Sequence, residues 1–232
     1  MNKELVIGVF GPQGSGKSYI DELLVTTHGA EKIKSCTSRT QKTTEEMKDY
    51  DFVSYEKFQK KIKDDEFLEY GCWEKDCYGT PKNTISQIVS RKKTPLLEIG
   101  HRGLIKIIQK HSNKYNFLVI GILPDSDQIY KEIFEKNINI TFNWKNGSPV
   151  VKNQNDIEKL IKIYNKELYK RMKNRGRENE NEIYKKIQRS EDRLKFILSD
   201  GATKNNFYIV HNKLYGYEIV KQQINKIVNN IL

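Results

Sequence analysis

The chain has 232 residues and carries 41 Lys plus Arg against 30 Asp plus Glu, a formal charge of +11. That length suits one α/β domain with a full core and inserted subdomains. The basic residues are spread along helix-like segments rather than gathered in one tract, which argues against a nucleic-acid partner and for small polyanions such as polyphosphates.

Leu5-Val-Ile-Gly-Val-Phe10 is a continuous apolar run rich in β-branched residues, which predicts a strand buried on both faces of a parallel sheet. From Leu5 to Gly11 it is too short for a signal-peptide core or a membrane span, so a cytoplasmic protein without a membrane partner is expected. Gly11-Pro-Gln13-Gly14-Ser15-Gly16-Lys17-Ser18 follows and fits G-x-x-x-x-G-K-[ST] at every required position. It lies between that strand and an amphipathic helix predicted over Lys17–Thr27, the context the motif needs. The glycines let the backbone fold round phosphates with N–H groups inward, and the helix N-terminus adds a positive dipole end. ATP is therefore expected on Gly11, Gln13, Gly14, Ser15, Gly16, Lys17 and Ser18, with Lys17 reaching the β and γ oxygens and Ser18 ligating Mg²⁺. A glycine-rich turn serving only packing would not need the lysine and the hydroxyl at those two positions.

Next come Ser35-Cys-Thr-Ser-Arg39-Thr-Gln-Lys42-Thr-Thr-Glu45, Asp49-Tyr50-Asp-Phe-Val-Ser54, Glu66-Phe-Leu-Glu69-Tyr and Tyr78-Gly-Thr80-Pro. Cys36, Cys72 and Cys77 form no C-x-x-C pair and leave an odd count, which predicts no disulfide framework and a reducing compartment. Helices are predicted at Tyr55–Lys63, Pro81–Lys92, Gly103–Lys110, Asp156–Asn174, Asn181–Leu198 and Tyr217–Ile231, with Pro81 in a first helical turn where its missing N–H costs nothing. Further strands are predicted at Thr94–Ile99, Asn116–Ile122 and Asn206–Val210. The segment from Lys136 to Asn155 alternates, turns at Lys145-Asn-Gly-Ser-Pro and returns, reading as a small hairpin insertion. Strands alternating with helices predict a parallel sheet with helices on both faces.

In order and spacing, the strings from the phosphate loop through Thr80 resemble the guanylate kinase family, whose pattern is S-x-T-T-R-x-x-R-x-x-E, D-Y-x-F-V, E-F-[IL]-E and Y-Y-G-[ST]. This chain has one residue fewer between Glu45 and Asp49, Lys42 for the second arginine and Cys77 for the first tyrosine. The resemblance resumes at Leu168-Tyr-Lys-Arg171-Met-Lys-Asn-Arg175-Gly176 and Ile183-Tyr-Lys-Lys-Ile187, similar to the family's lid. It implies a P-loop kinase fold with an inserted monophosphate-binding subdomain and a helical lid. The division expected is a core of 1–35, 81–125 and 187–232, an acceptor subdomain of 36–80 and a lid region of 126–186 that includes the insertion near 136–155.

The implied reaction moves the γ-phosphoryl of ATP, with Mg²⁺, to GMP or dGMP. Arg39, Lys42, Tyr50 and Tyr78 would donate to the acceptor's phosphate, where lysine at 42 keeps charge but loses bidentate geometry. Glu69 would accept from guanine N1–H and N2–H₂, with Ser35 and Thr80 near O6 and N7. Arg171 and Arg175 would close over the transferring phosphoryl. Where the family has D-x-D-x-Q-G, this chain reads Glu98-Ile-Gly100-His101-Arg102-Gly103. Glu98 retains a carboxylate for Mg²⁺ or the phosphate loop, but Gly100 has no side chain for the guanine amino group. That departure leaves a second reading, the same fold acting on another nucleoside monophosphate or a sugar phosphate. A third, a non-catalytic protein-binding module, conflicts with the intact Lys17, Ser18 and lid arginines.

Overall fold

The structure is a computed structural model that describes residues 3–41, 44–143, 145–199, 207–214 and 216–231. A five-stranded sheet has the order β11-β8-β1-β7-β2, formed by β1 (Glu4–Phe10), β2 (Ala30–Lys32), β7 (Thr94–Glu98), β8 (Tyr115–Asp125) and β11 (Phe207–Lys213). Its pairings of β2 with β7 and of β8 with β11 are parallel. The chain divides into two compact units, one of Met1–Gly8 with Val25–Phe117, the other of Val9–Leu24 with Leu118–Leu232.

The first unit holds a four-stranded sheet of order β4-β3-β6-β5, made by β3 (Ser35–Thr37), β4 (Tyr50–Phe52), β5 (Phe67–Trp73) and β6 (Asp76–Pro81). Helix α2 (Tyr55–Lys63) packs on one face of it. Ser54 caps that helix by accepting from the Lys57 N–H, Glu56 lies in the first turn, and Lys60, Lys61 and Lys63 lie in the last, each sign matching the helix dipole. Phe58 of α2 is fully buried and stacks on Phe67 at 4.7 Å between centroids, with Cys36 and Cys77 in the same cluster. Helices α3 (Thr84–Ser90) and α4 (His101–His111) contribute Ile85, Ile88 and Ile107 to a second cluster with Val6, Leu97 and Phe117.

Two expectations need correction here. Pro81 does not open a helix: it ends β6 opposite Phe67, and α3 starts only at Thr84. Proline's fixed φ suits an extended strand end as well as a first helical turn. Cys72 and Cys77 form a disulfide, facing each other across β5 and β6 with 4.0 Å between Cα atoms, while Cys36 is free and buried. An odd cysteine count says nothing about a pair that strand register sets face to face.

The second unit contains helix α1 (Lys17–His28) up to Leu24, most of β8, α5 (Asp127–Glu135), β9 (Ile140–Phe142), β10 (Pro149–Val151), α6 (Gln154–Arg175), α7 (Glu180–Leu198), β11 and α8 (Tyr217–Asn229). Helix α6 ends on Gly176 at φ 68°, and α7 starts with a reciprocal cap between Asn179 and Glu182. Helix α5 went unread in the sequence although Ser126 caps it by accepting from the Ile129 N–H.

The insertion is a hairpin, β9 antiparallel to β10, and it covers a sheet edge. Strand β11 is last in the sheet order, and its Ile209 N–H donates to the Asn146 carbonyl at 2.7 Å. The His211 ring lies 2.9 Å from the Gly147 carbonyl and meets Phe142 edge-on at 4.9 Å. Gly147, at φ 72°, sits so close that a Cβ there would lie 2.4 Å from the Ile209 carbonyl. An open edge strand invites pairing with other chains, and this loop occupies it.

Candidate active site

The second unit begins at Val9, near the end of β1, where the chain enters the loop expected to hold ATP, and α1 leaves it. Gly14 and Gly16 take φ of 83° and 96°, a region open to glycine and strained for other residues. The Gln13 N–H donates to Ser190 Oγ of α7 at 3.0 Å, and Arg193 Nη1 donates to the Gly11 carbonyl at 3.0 Å. Leu168 and Met172 of α6 pack beside Gly14, where a Cβ would come within 3.1 Å of Met172. Lys17 Nζ donates to the carbonyls of Gly11 at 3.3 Å and Pro12 at 3.0 Å, so the ammonium curls back over the loop. Ser15 is buried, whereas Gln13 and Ser18 are exposed.

The lid residues divide. Arg171 is buried, with a side chain 6% exposed, and its Nε donates to Glu167 Oε1 at 2.7 Å. Its Nη2 donates to the carbonyls of Asp125 at 2.8 Å and Asn212 at 3.0 Å, clipping the ends of paired strands β8 and β11. Arg175 Nη2 and Lys186 Nζ both donate to one oxygen of Glu178, at 2.5 and 2.7 Å. Burial pushes the Glu178 carboxyl up, but the Lys186 hydrogen bond and the Arg175 charge outweigh it and leave it below the usual carboxylate range.

In the first unit the acceptor residues share a face. Cys36, Cys77 and Phe67 point to the Phe58 cluster, so the period of two sends Ser35, Tyr78 and Thr80 to the other side. Ser35 pairs with Tyr50, Tyr78 with Thr37, and Thr80 with Glu69 in the strand registers. Thr80 Oγ1 donates to Glu69 Oε1 at 2.9 Å, and burial raises the Glu69 pKa against the lowering effects of Thr80 and Lys106. Tyr50 and Tyr78 meet edge-on at 6.0 Å, and the Arg39 guanidinium lies 5.3 Å from the Tyr50 ring centre. Burial, then the charge of Glu98 and the proximity of Tyr78, push the Tyr50 phenol up to about 12, so it remains a proton donor at neutral pH. Lys42 lies outside the described residues. Glu98 Oε2 accepts from Lys32 Nζ at 2.8 Å, and Lys32 also meets Asp49 at 3.0 Å.

Sequence reasoning passed over Lys32, Asp49, Glu178, Ser190, Arg193 and Asn212. Two of these had a local signal: Asp49 opens the D-Y-x-F-V string, and Glu178 stands three residues after Arg175.

A family model described as Guanylate kinase matches residues 2–142. A guanylate kinase of Mesomycoplasma hyopneumoniae (strain 7448) is 33% identical over 197 residues, covering 73% of this chain and 98% of that protein. One from Clostridium tetani (strain Massachusetts / E88) is 30% identical over 137 residues, covering 59% of this chain and 65% of that protein. In fold, the crystal structure of guanylate kinase from Anaplasma phagocytophilum aligns with a TM-score of 0.57 at 15% identity, covering 99% of this chain and 87% of that one. With the phosphate loop built between β1 and α1, and the family pattern running from that loop through the acceptor sheet, the chain belongs to the guanylate kinase family.

Proposed function

We infer that the chain transfers the γ-phosphoryl of ATP to GMP, or to its deoxy form, and releases ADP with the nucleoside diphosphate. The observation that carries the acceptor is Glu69, a half-buried carboxylate held by Thr80 on the face that also bears Ser35, Tyr50 and Tyr78. Guanine presents N1–H and N2–H₂ on one edge, and a single carboxylate accepts both. Adenine presents a lone pair at N1, which would face the carboxylate unpaired at a cost of about 1–3 kcal/mol. The phosphate of the acceptor takes Arg39, Lys42, Tyr50 and Tyr78 as donors.

On the donor side, Lys17 exchanges its two loop carbonyls for the β and γ oxygens of ATP. Arg175, with Lys186 beside it on Glu178, supplies positive charge where it develops on the transferring group. Arg171, bonded to Glu167 and to the Asp125 and Asn212 carbonyls, steadies the ends of β8 and β11. No step needs a catalytic base, because phosphoryl transfer depends mainly on positioning and electrostatics.

The donor set fits a Mg²⁺ ion that arrives with ATP. Ser18 is exposed in the first turn of α1, and no group of three or more metal-ligating side chains occurs among the described residues. This ion keeps most of its water and takes one or two protein oxygens beside phosphate. Ser18 would hold it, and Glu98 is the further carboxylate proposed for it. When bound, it neutralises charge on the phosphate oxygens.

Gly100 supports a looser base preference within this activity. It is the N-cap of α4 with no side-chain hydrogen bond, in the position where the family carries a carboxylate. Among the described residues no helix is long and apolar enough to cross a membrane.

The test is ADP release from ATP by wild type and Lys17→Ala, with Mg²⁺ and GMP. Turnover that needs GMP and falls by about 100-fold or more in Lys17→Ala supports the reading. Release independent of GMP overturns it.

A further inference from the structure

Asn212 stands near the end of β11, outside every motif of the sequence, yet its side chain lies against the phosphate loop. Its Nδ2 donates to the Ser15 carbonyl at 2.6 Å. A Cβ on Gly16 would lie 2.0 Å from the same nitrogen, so the amide fills the space a side chain at position 16 would need. A carbonyl only accepts, which fixes the amide with its NH₂ toward the loop.

That single bond has a directional consequence. A trans peptide unit is planar, so the Ser15 carbonyl and the Gly16 N–H point in opposite directions. Tying the carbonyl to Asn212 aims the Gly16 N–H away from Asn212, toward the concave side of the loop where phosphate oxygens are received. The glycines on either side of Ser15, with φ of 83° and 96°, would otherwise let this peptide turn over at little cost. Asn212 is held in turn, since its own carbonyl accepts from the buried Arg171, which is locked by Glu167.

We propose that Asn212 is a positioning residue for ATP binding, setting the Ser15–Gly16 peptide so that the Gly16 N–H faces the nucleotide phosphates, with Arg171 holding Asn212 in place. The proposal rests on reading the loop as the ATP site.

The test uses the full chain with Asn212→Asp and Asn212→Leu, and measures the MgATP dissociation constant by calorimetry from about pH 3.5, below the ordinary aspartate value, to about pH 8, with thermal unfolding beside it. A protonated carboxyl donates to the Ser15 carbonyl; an ionised one repels it, and leucine offers no donor at any pH. Relative to wild type, Asn212→Leu is expected to weaken MgATP by about tenfold throughout. Asn212→Asp is expected to approach wild type at the acid end and to weaken by about tenfold or more as pH rises. That rescue is a signature that loss of packing would not produce. Asn212→Asp binding no tighter than Asn212→Leu at the acid end overturns the proposal, as does a pH-independent ratio of Asn212→Asp to wild type if the leucine variant fails to fold. Wild-type protein that does not bind MgATP defeats the reading of the loop instead.

Discussion

Glu69 and Gly103 approach so closely that a Cβ on Gly103 would lie 2.6 Å from Glu69 Oε2 and 3.0 Å from its carboxyl carbon. The carboxylate assigned to guanine therefore rests against the first turn of α4, a place that a side chain at 103 would take from it.

Gly103→Ala should displace the carboxylate while leaving the phosphate contacts of Arg39, Tyr50 and Tyr78 intact. The expected result is a fall of about 10- to 100-fold in kcat/KM for GMP, mostly through KM, with the MgATP dissociation constant unchanged. An unchanged KM for GMP would show that the close approach has no part in base recognition.

Glu69→Gln separates function from stability. Burial raises the folded pKa of Glu69 above its unfolded value, so its favourable contribution is complete below the unfolded pKa and is lost as pH rises through the folded one. At neutral pH the ionised group opposes folding, and the neutral glutamine removes that opposition. The variant should unfold at a higher temperature than wild type at about pH 7 and lose the advantage at about pH 4, below the unfolded value. Its kcat/KM for GMP should fall by about 2–4 kcal/mol of transition-state stabilisation, because a donor now faces a donor. Differential scanning calorimetry at the two pH values, with steady-state kinetics, checks both halves.

Arg175→Ala should lower kcat much more than it raises KM for GMP, by about 100-fold or more, since its charge acts on the transferring group. Glu178→Gln should lower kcat by a smaller factor, about tenfold, because Arg175 and Lys186 keep their charges and lose the ion that aligns them. An effect confined to the KM of GMP would make Arg175 a ground-state contact.

Much of the donor site was legible because it is local. The run Leu5–Phe10, the glycines and Lys17-Ser18 stand together in the chain, and the structure has a strand, loop and helix there. Helix α2 runs over Tyr55–Lys63, the span predicted from the sequence. What failed was short or non-local. Strands β2, β3 and β4 have three residues each, too few for a pattern of two to declare itself, and only pairing reveals them. The role of Asn212 depends on a contact with a residue 197 positions away, and the double grip of Glu178 depends on where α6 and α7 place Arg175 and Lys186. The hairpin near 136–155 was legible as a hairpin, but its use as a cover for β11 required the sheet order.

The central claim is base choice, and internal competition tests it most directly. GMP, AMP, CMP and UMP at equal concentrations are offered with limiting γ-³²P-labelled ATP, and the label in each diphosphate is counted after chromatography, which reads the ratios of kcat/KM. GDP should carry most of the label, by about tenfold over each other diphosphate, because guanine alone of the four bases presents two adjacent N–H donors to one carboxylate, while Gly100 leaves the preference looser than a second carboxylate would make it. Label appearing mainly in CDP, UDP or ADP would contradict the assignment of Glu69, Ser35 and Thr80 to guanine.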